Sequence, residues 1–417
     1  MTTISIGQND SLHRIEQALL QELDTRREEL LTLCAALVAA PSMNPPGNTA
    51  QVADCVIAYL QERGLTTERI AMEDEAPNVV CAIGSDTGPH VVMNAHMDTM
   101  LPGELADWSV PILSMTQRDG RLYGLGMGNM KGGLAAMCVA LCALSRYEQV
   151  LGGRISLTAV SDEVMFGRRG TEYLLAQRPD LFGDWLICAE GPGEMHFAIA
   201  EKGLLWVDIE ARGEAGHASR ALRHQTAAVR LAQFLTDMDA LNDIHTDVPA
   251  ALQGIYPGEG RLGLRVSVNT GVIQAGAVRS LMSPTARASV DIRVPPGLSV
   301  LQLQQRLRDM ADQYTDIYVS FPKAWNPSWA ARDAPLVRYM DGVIQQVRQQ
   351  APVHVVRLPG SDARHWRDQG IPAVCFGPQP TLSSGVDDYA DLQDVIDCAK
   401  IYALCAFRLL ISTHNTG

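Results

Sequence analysis

The sequence predicts an α/β protein with a doubly wound, mostly parallel sheet, interrupted by a smaller inserted α+β domain. Three observations lead there. Strand-like apolar runs alternate with helical spacing over the first 200 residues, and the same alternation resumes near residue 314. Between the two stretches the strand-like runs alternate apolar with polar residues, as half-buried strands do. The expected division is 1–200 with 314–417 as the main domain and 201–313 as the insert.

Helical spacing runs from about Asp10 to Ala40, with a break near Asp24 to Arg27, and stops at Pro41-Ser42. Asn44-Pro45-Pro46-Gly47 is a turn, Asn48 or Thr49 caps the next helix, and Arg63-Gly64 ends it. Strand-like runs follow at Asn78 to Ile83 and His90 to Ala95. Helix Lys131 to Leu144, strand Ile155 to Val160, helix Thr171 to Gln177 and strand Trp185 to Cys188 then alternate. In the insert, strands are expected at Leu204 to Arg212, Gly263 to Ile273 and Ala286 to Val294, and helices at Gln225 to Leu241 and Leu298 to Met310. The last third offers helix Leu336 to Gln350, strand His354 to Arg357, helix Asp362 to Asp368, strand Pro372 to Phe376 and a final helix from Leu392.

Composition narrows the function. A net charge of −13 with no basic run argues against a nucleic-acid surface. No apolar stretch reaches the roughly 20 residues of a membrane span, and Met1-Thr2-Thr3-Ile4-Ser5 carries no secretory signature. Nine scattered cysteines without Cys-x-x-Cys spacing read as buried thiols of a cytoplasmic protein.

The stretch Val91-Val92-Met93-Asn94-Ala95-His96-Met97-Asp98-Thr99 focuses the chemistry. On an extended backbone His96 and Asp98 share a face, so an imidazole and a carboxylate leave one strand end together. Alone, such a pair is more often a satisfied polar contact than a site. Its company is Gly124 to Gly133, Ser161-Asp162-Glu163, Cys188-Ala189-Glu190-Gly191-Pro192, Gly213 to His217, Gly360-Ser361-Asp362-Ala363-Arg364 and Gly385 to Tyr389. His96, Glu163 and Glu190 each close an expected strand, where ligands of α/β sheets collect.

In this order and spacing the motifs resemble the dinuclear-zinc amidohydrolases and exopeptidases that include acetylornithine deacetylase, succinyl-diaminopimelate desuccinylase, aminoacylase and carboxypeptidase G. The resemblance implies that the insert is a dimerisation lid and the chain a homodimer. It implies His96 and Glu190 as metal ligands, Asp98 as the carboxylate that orients His96, and Glu163 as general base. It places His217 as the lid histidine that reaches the substrate across the dimer, and Arg293 at a substrate-binding position of the lid. A surface loop histidine and a strand-end ion pair are the plain alternatives for the last two.

Three expected metal ligands have changed. Asn129 stands for the bridging Asp, Val164 for the second Glu, and Ser384 for the C-terminal His. A neutral amide, an aliphatic chain and a hydroxyl are poor replacements as zinc ligands. The loop Val164-Met165-Phe166-Gly167-Arg168-Arg169-Gly170 replaces a Gly-rich turn, and Arg168 and Arg169 either restore positive potential or are solvated. With Asn129 and Ser384 they complete the expected substrate-side residues.

Three functions are compatible with this pattern. The first is a metal-depleted enzyme acting on the amide or acyl group of a small carboxylate-bearing, N-acyl amino acid-like substrate. Glu163 would then be the acid/base group and no cofactor is needed. The second is an amidohydrolase with at most one zinc, and the third a non-catalytic small-molecule binding protein.

Overall fold

The computed structural model describes residues 6–381 and 385–412. They divide into two units, one made of the residues up to 199 with 329–354 and those from 361 onward, the other of 200–328 with 355–360.

The first unit opens with helices α1 (Ile6–Thr25), α2 (Arg27–Ala39) and α3 (Ala50–Gln61). The expected break between the first two falls at Arg26. The N-cap of α3 is Thr49, which makes no side-chain cap bond; Asn48, one residue earlier, accepts the first helical N–H, that of Ala50, through Oδ1 at 3.1 Å. Strands β1 (Thr67–Ala71), β2 (Pro77–Gly84), β3 (His90–His96), β4 (Arg154–Val160) and β5 (Trp185–Cys188) follow, with helices α4 (Gly132–Leu144) and α5 (Thr171–Gln177) between them.

The sheet runs in the order β1-β2-β4-β3-β5, and the strand Ala373–Cys375 adds to β5. Neighbours from β4 through β3 and β5 to Ala373–Cys375 are parallel. The margins are not: β1 pairs antiparallel with β2, β2 with β4, and Cys375 with Ala198 of strand Phe197–Glu201. The expected mostly parallel sheet is thus a mixed one. Apolar runs of similar length read alike in either direction, and the 77–84 strand turns back directly from 67–71 without a crossover helix.

Every residue of α4 is buried. The helical run 127–150 is long and apolar enough to pass for a membrane span, contrary to the sequence reading, but its apolar window is 94% buried inside the protein, as in a core helix. The last third supplies α8 (Pro335–Arg348), α9 (Ala363–Arg367) and α10 (Leu392–Ser412), numbered after two helices of the second unit; α10 packs on α4 and α8. All nine cysteines are free thiols and eight are buried.

The second unit has its own core. Strands β6 (Gly203–Arg212), β7 (Ser267–Ala275), β8 (Thr285–Val294) and β9 (Ile317–Ser320) form an antiparallel sheet in the order β7-β8-β6-β9, and Ala324–Trp325 pairs with the start of β6. The alternating burial of β6 and β8 puts Leu205, Val207, Ile209, Val290 and Ile292 against Leu231 and Phe234 of α6 (Ala227–Asp239) and Leu303 and Leu307 of α7 (Val300–Ala311). Ser299 and Gln302 form a capping box on α7. Because β9 and Ala324–Trp325 pair with β6, this unit continues to Ser328, beyond the 313 expected from sequence.

Candidate active site

The ends of three adjacent parallel strands build the site. His96 is the last residue of β3, Glu163 follows β4 by three residues and Glu190 follows β5 by two. His96 is 1% exposed. Its Nδ1 donates to the Asp98 carbonyl at 2.9 Å and lies 3.5 Å from Asp98 Oδ1. That bond fixes the tautomer of a neutral ring, leaving the lone pair on Nε2. Around Nε2 stand Asn129 Oδ1 at 3.1 Å, Glu163 Oε2 at 3.8 Å and Glu190 Oε1 at 3.8 Å. With two carboxylates and the Asn129 oxygen on this side of the ring, a proton or a cation at Nε2 is favoured.

The proton is strongly held. Burial alone would weaken it, but the Asp98 hydrogen bond and the charges of Glu163, Asp98 and Glu190 outweigh burial and lift His96 to about 10. Glu163 is also buried, and its Oε1 has no hydrogen-bond partner. Burial first, then Glu190, pushes Glu163 well above the usual carboxyl range, against the pull of His96. Asp362, at the start of α9, is buried and pushed up to about 7 by burial, with Glu190 adding to the effect.

Asp98 has the opposite environment. It accepts the backbone N–H groups of Glu163 at 3.1 Å and Val164 at 3.0 Å, and Asn44 Nδ2 at 2.8 Å. The same amide nitrogen reaches Asp162 Oδ1 at 3.0 Å. Arg169 closes the network with Nε and one terminal nitrogen, each 3.0 Å from Asp162. Burial would raise Asp162, but Arg169 and Asn44 hold it low. Gly167 makes room, since a Cβ there would lie 1.8 Å from Asp162 Oδ2. Gly133 does the same beneath Glu190, where a Cβ would lie 2.8 Å from the Ala189 carbonyl.

The family model described as Peptidase family M20/M25/M40 matches residues 92–408. The chain belongs to this family. Its members act on amide C–N bonds, and the matched residues span both units. The chain is 22% identical to the N-formyl-4-amino-5-aminomethyl-2-methylpyrimidine deformylase of Bacillus subtilis, covering 92% of this chain and 95% of that protein. It is 25% identical to a succinyl-diaminopimelate desuccinylase of a Bradyrhizobium species, covering 90% and 97%. Among solved structures it resembles human carnosine dipeptidase 1 (TM-score 0.76, 15% identity, 95% and 99% covered). It also resembles a metallo-carboxypeptidase of the same family from Sulfolobus solfataricus (TM-score 0.75, 16% identity, 92% and 99% covered).

Within the family framework, the structure brings His96, Asp98, Asn129, Glu163 and Glu190 together. Among the described residues, His96, Glu163 and Glu190 are the His/Cys/Asp/Glu group that could hold an ion, with donor atoms within 4.8 Å of one another. Val164 contributes its backbone N–H to Asp98 and has no donor on its side chain. Ser384 lies outside the described residues.

The two loop arginines diverge. Arg168 is 81% exposed and pairs with Glu172 at 3.1 Å, whereas Arg169 turns inward to Asp162 and reaches Glu73 at 3.2 Å. Both remaining expected residues are in the second unit. His217 is exposed, with Nδ1 2.8 Å from Ser219 Oγ; Arg293, at the end of β8, binds Asp291 through two bonds of 2.7 and 3.0 Å.

Asn44, Asp162 and Asp362 were not singled out from sequence. Each lies in a motif that was: the Asn-Pro-Pro-Gly turn, Ser161-Asp162-Glu163 and Gly360 to Arg364. The missing signal was the pairing: Asn44 joins Asp98 and Asp162 from 54 and 118 residues away.

Proposed function

We propose that this protein is an amide- or acyl-directed enzyme that works with a depleted metal centre on a small, carboxylate-bearing N-acyl substrate, with Glu163 carrying the proton. The carrying observation is the buried Glu163 carboxyl, one oxygen unpartnered and the other 3.8 Å from His96 Nε2. The residues do not suit the metal pair that the resemblance implies. Asn129 places a neutral oxygen where two dications would share a carboxylate, and Val164 offers none.

Without metal, the reaction must be an easier one. A catalytic zinc lowers the pKa of bound water from about 15.7 to about 7, roughly 12 kcal/mol of nucleophile preparation as an upper bound. A general acid or base contributes only about 10² to 10⁴ in rate. Acyl transfer, cyclisation or isomerisation on a substrate with an activated acyl group or a strong internal nucleophile falls within that range. Glu163, whose protonated form burial and Glu190 favour, delivers its proton to the leaving nitrogen and takes one back from the nucleophile. The imidazolium of His96 stabilises negative charge on the acyl oxygen. The relatives' names support the substrate class: a deformylase and a desuccinylase both remove an N-acyl group from a small molecule.

One observation favours a second reading. His96, Glu190 and Glu163 converge closely enough for a single zinc, which would polarise an acyl oxygen and acidify a water. Glu163 would then be a ligand and unable to carry a proton freely.

Pairing with a second copy through the second unit is part of the proposal. Strand β7 is an edge of its sheet and exposes Val272 and Ile273, and such edges are commonly covered. Light scattering on the purified chain tests this, and a monomer at micromolar concentration would refute it.

The deciding experiment combines metal analysis of protein purified without chelator with a screen of N-formyl, N-acetyl and N-succinyl amino acids for turnover. Little or no zinc, with turnover abolished in Glu163→Gln, is the expected result. One tightly bound zinc would select the second reading. Unchanged turnover in Glu163→Gln would reject Glu163 as the proton carrier.

A further inference from the structure

Arg169 ties together segments that lie far apart in sequence. Its Nε and one terminal nitrogen reach Asp162, each at 3.0 Å, so the contact is two-pronged. The same terminal nitrogen donates to the Pro46 carbonyl at 3.2 Å, and the other donates to Glu73 at 3.2 Å. The Arg169 carbonyl accepts Asn78 Nδ2 at 2.9 Å, which fixes the backbone from which the side chain reaches inward.

The contacts continue inward. Asp162 Oδ1 accepts Asn44 Nδ2 at 3.0 Å, and the same nitrogen donates to Asp98 Oδ2 at 2.8 Å. An Asn side chain can turn either its NH2 or its oxygen toward a neighbour; with a carboxylate on each side only the NH2 is tolerated, so the two acids fix the orientation of the amide. That requires Asp162 to remain an anion in one place. Burial works against the charge, and Arg169, with Asn44, holds the carboxyl low. Asp98 in turn accepts the backbone N–H groups of Glu163 and Val164, while His96 Nδ1 donates to the Asp98 carbonyl at 2.9 Å and lies 3.5 Å from Oδ1. Asn44, Asp98 and Asp162 are all buried, so bulk water does not substitute for these donors. The path from Arg169 therefore ends on the imidazole of His96 and the peptide of Glu163.

We propose that Arg169 is a positioning residue for the reaction, holding the His96 ring and the Glu163 backbone in place through Asp162, Asn44 and Asp98. It touches no reacting atom. Charge alone does not fill the role, because the two prongs set the direction of the Asp162 carboxylate, and an ammonium has no such fork. This role rests on His96 being part of the reacting centre; the setting of the imidazole can be observed without turnover.

The test is magnetic resonance of the full chain with isotope-labelled histidines, comparing wild type, Arg169→Ala, Arg169→Lys and Glu73→Gln below their unfolding midpoints. The hydrogen-bonded Nδ1–H proton of His96, assigned by its absence in His96→Gln, is expected as a slowly exchanging low-field signal in the wild type. In Arg169→Ala it should shift and exchange with solvent roughly ten-fold faster or more. Arg169→Lys should lie between, and Glu73→Gln, which removes only the outermost contact of the guanidinium, should match the wild type. In the activity screen, kcat should fall roughly 10- to 100-fold in Arg169→Ala with KM little changed, and recover in part in Arg169→Lys. A His96 signal unchanged in position and exchange in Arg169→Ala, or in Arg169→Lys should the Ala variant not fold, would overturn the assignment. So would equal changes in Glu73→Gln and Arg169→Ala. Because the spectroscopic result needs no turnover, it stands whether or not the His96 centre proves to be the reacting one.

Discussion

Asn44 Nδ2 lies 2.8 Å from Asp98 Oδ2 and 3.0 Å from Asp162 Oδ1, so one neutral amide holds apart two buried carboxylates. Its two N–H bonds are spent on these acids. Asn44→Ala would leave both acids facing each other across an unfilled gap. A loss of roughly 2–4 kcal/mol is expected, given the cost of unsatisfied buried charge. Asn44→Asp adds a third negative charge and should be worse. Urea unfolding measures both, and a loss below about 0.5 kcal/mol in Asn44→Ala would show that water replaces the amide at little cost.

Adjacent arginines should behave unequally. Arg168 is a solvated surface partner of Glu172, and Arg168→Ala is expected to change stability by less than about 0.5 kcal/mol. Arg169 satisfies Asp162, whose side chain is only 7% exposed. Arg169→Ala should cost roughly 1–3 kcal/mol, the range discounted because the guanidinium itself is 21% exposed. Arg169→Lys should recover only part, since an ammonium cannot make the two-pronged contact. Equal effects for Arg168→Ala and Arg169→Ala would remove the distinction.

Stability should fall as the solution becomes alkaline. Asp362 titrates near 4 when unfolded and about 7 when folded, so between those values the folded chain holds a proton the unfolded one has lost. Its contribution therefore declines from about pH 4 and levels off above about pH 7. Glu163 acts in the same direction. His96 extends the decline: its contribution is fully present below its unfolded value of 6.5 and is lost as pH rises through about 10. Asp362→Asn should flatten the lower limb and raise stability at pH 7 and above by a few kcal/mol at most, on the order set by the linkage relation. Thermal unfolding midpoints from pH 5 to 9 give the answer, and a curve that rises across that range in the wild type would contradict the arrangement of charges.

Legibility from sequence followed the range of the interactions. His96 and Asp98 could be placed because a strand end fixes residues two apart on one face. Glu163 and Glu190 could be placed because each ends an apolar run that becomes a parallel strand. The division of labour between Arg168 and Arg169 was hidden, since it depends on Asp162 adopting a positive φ of 59° and on the missing side chain of Gly167. Asp362 stayed unseen for a different reason. It lies 199 residues beyond Glu163, and nothing local marks an acid destined to be buried beside another. Strand direction at the sheet margins had no local marker either.

The exchanged ligand positions should be reversible in part. Asn129 Oδ1 already lies 3.1 Å from His96 Nε2, so Asn129→Asp adds a negative charge beside the imidazole without moving the backbone. Val164 holds Asp98 through its backbone N–H, which Val164→Glu leaves intact, and its partly exposed side chain has room to lengthen. Together the two changes add two carboxylates, one beside His96 Nε2 and one on the residue that follows Glu163, to a site that already holds Asp98, Glu163 and Glu190, and the added charge can be relieved only by cations or protons. Zinc retained after dialysis, measured by mass spectrometry, should therefore rise from at most one equivalent in the wild type to more than that in the double variant. Two equivalents in the wild type would mean that a metal pair finds ligands beyond His96, Glu163 and Glu190. No gain in the double variant would mean that residues 129 and 164 do not limit metal binding.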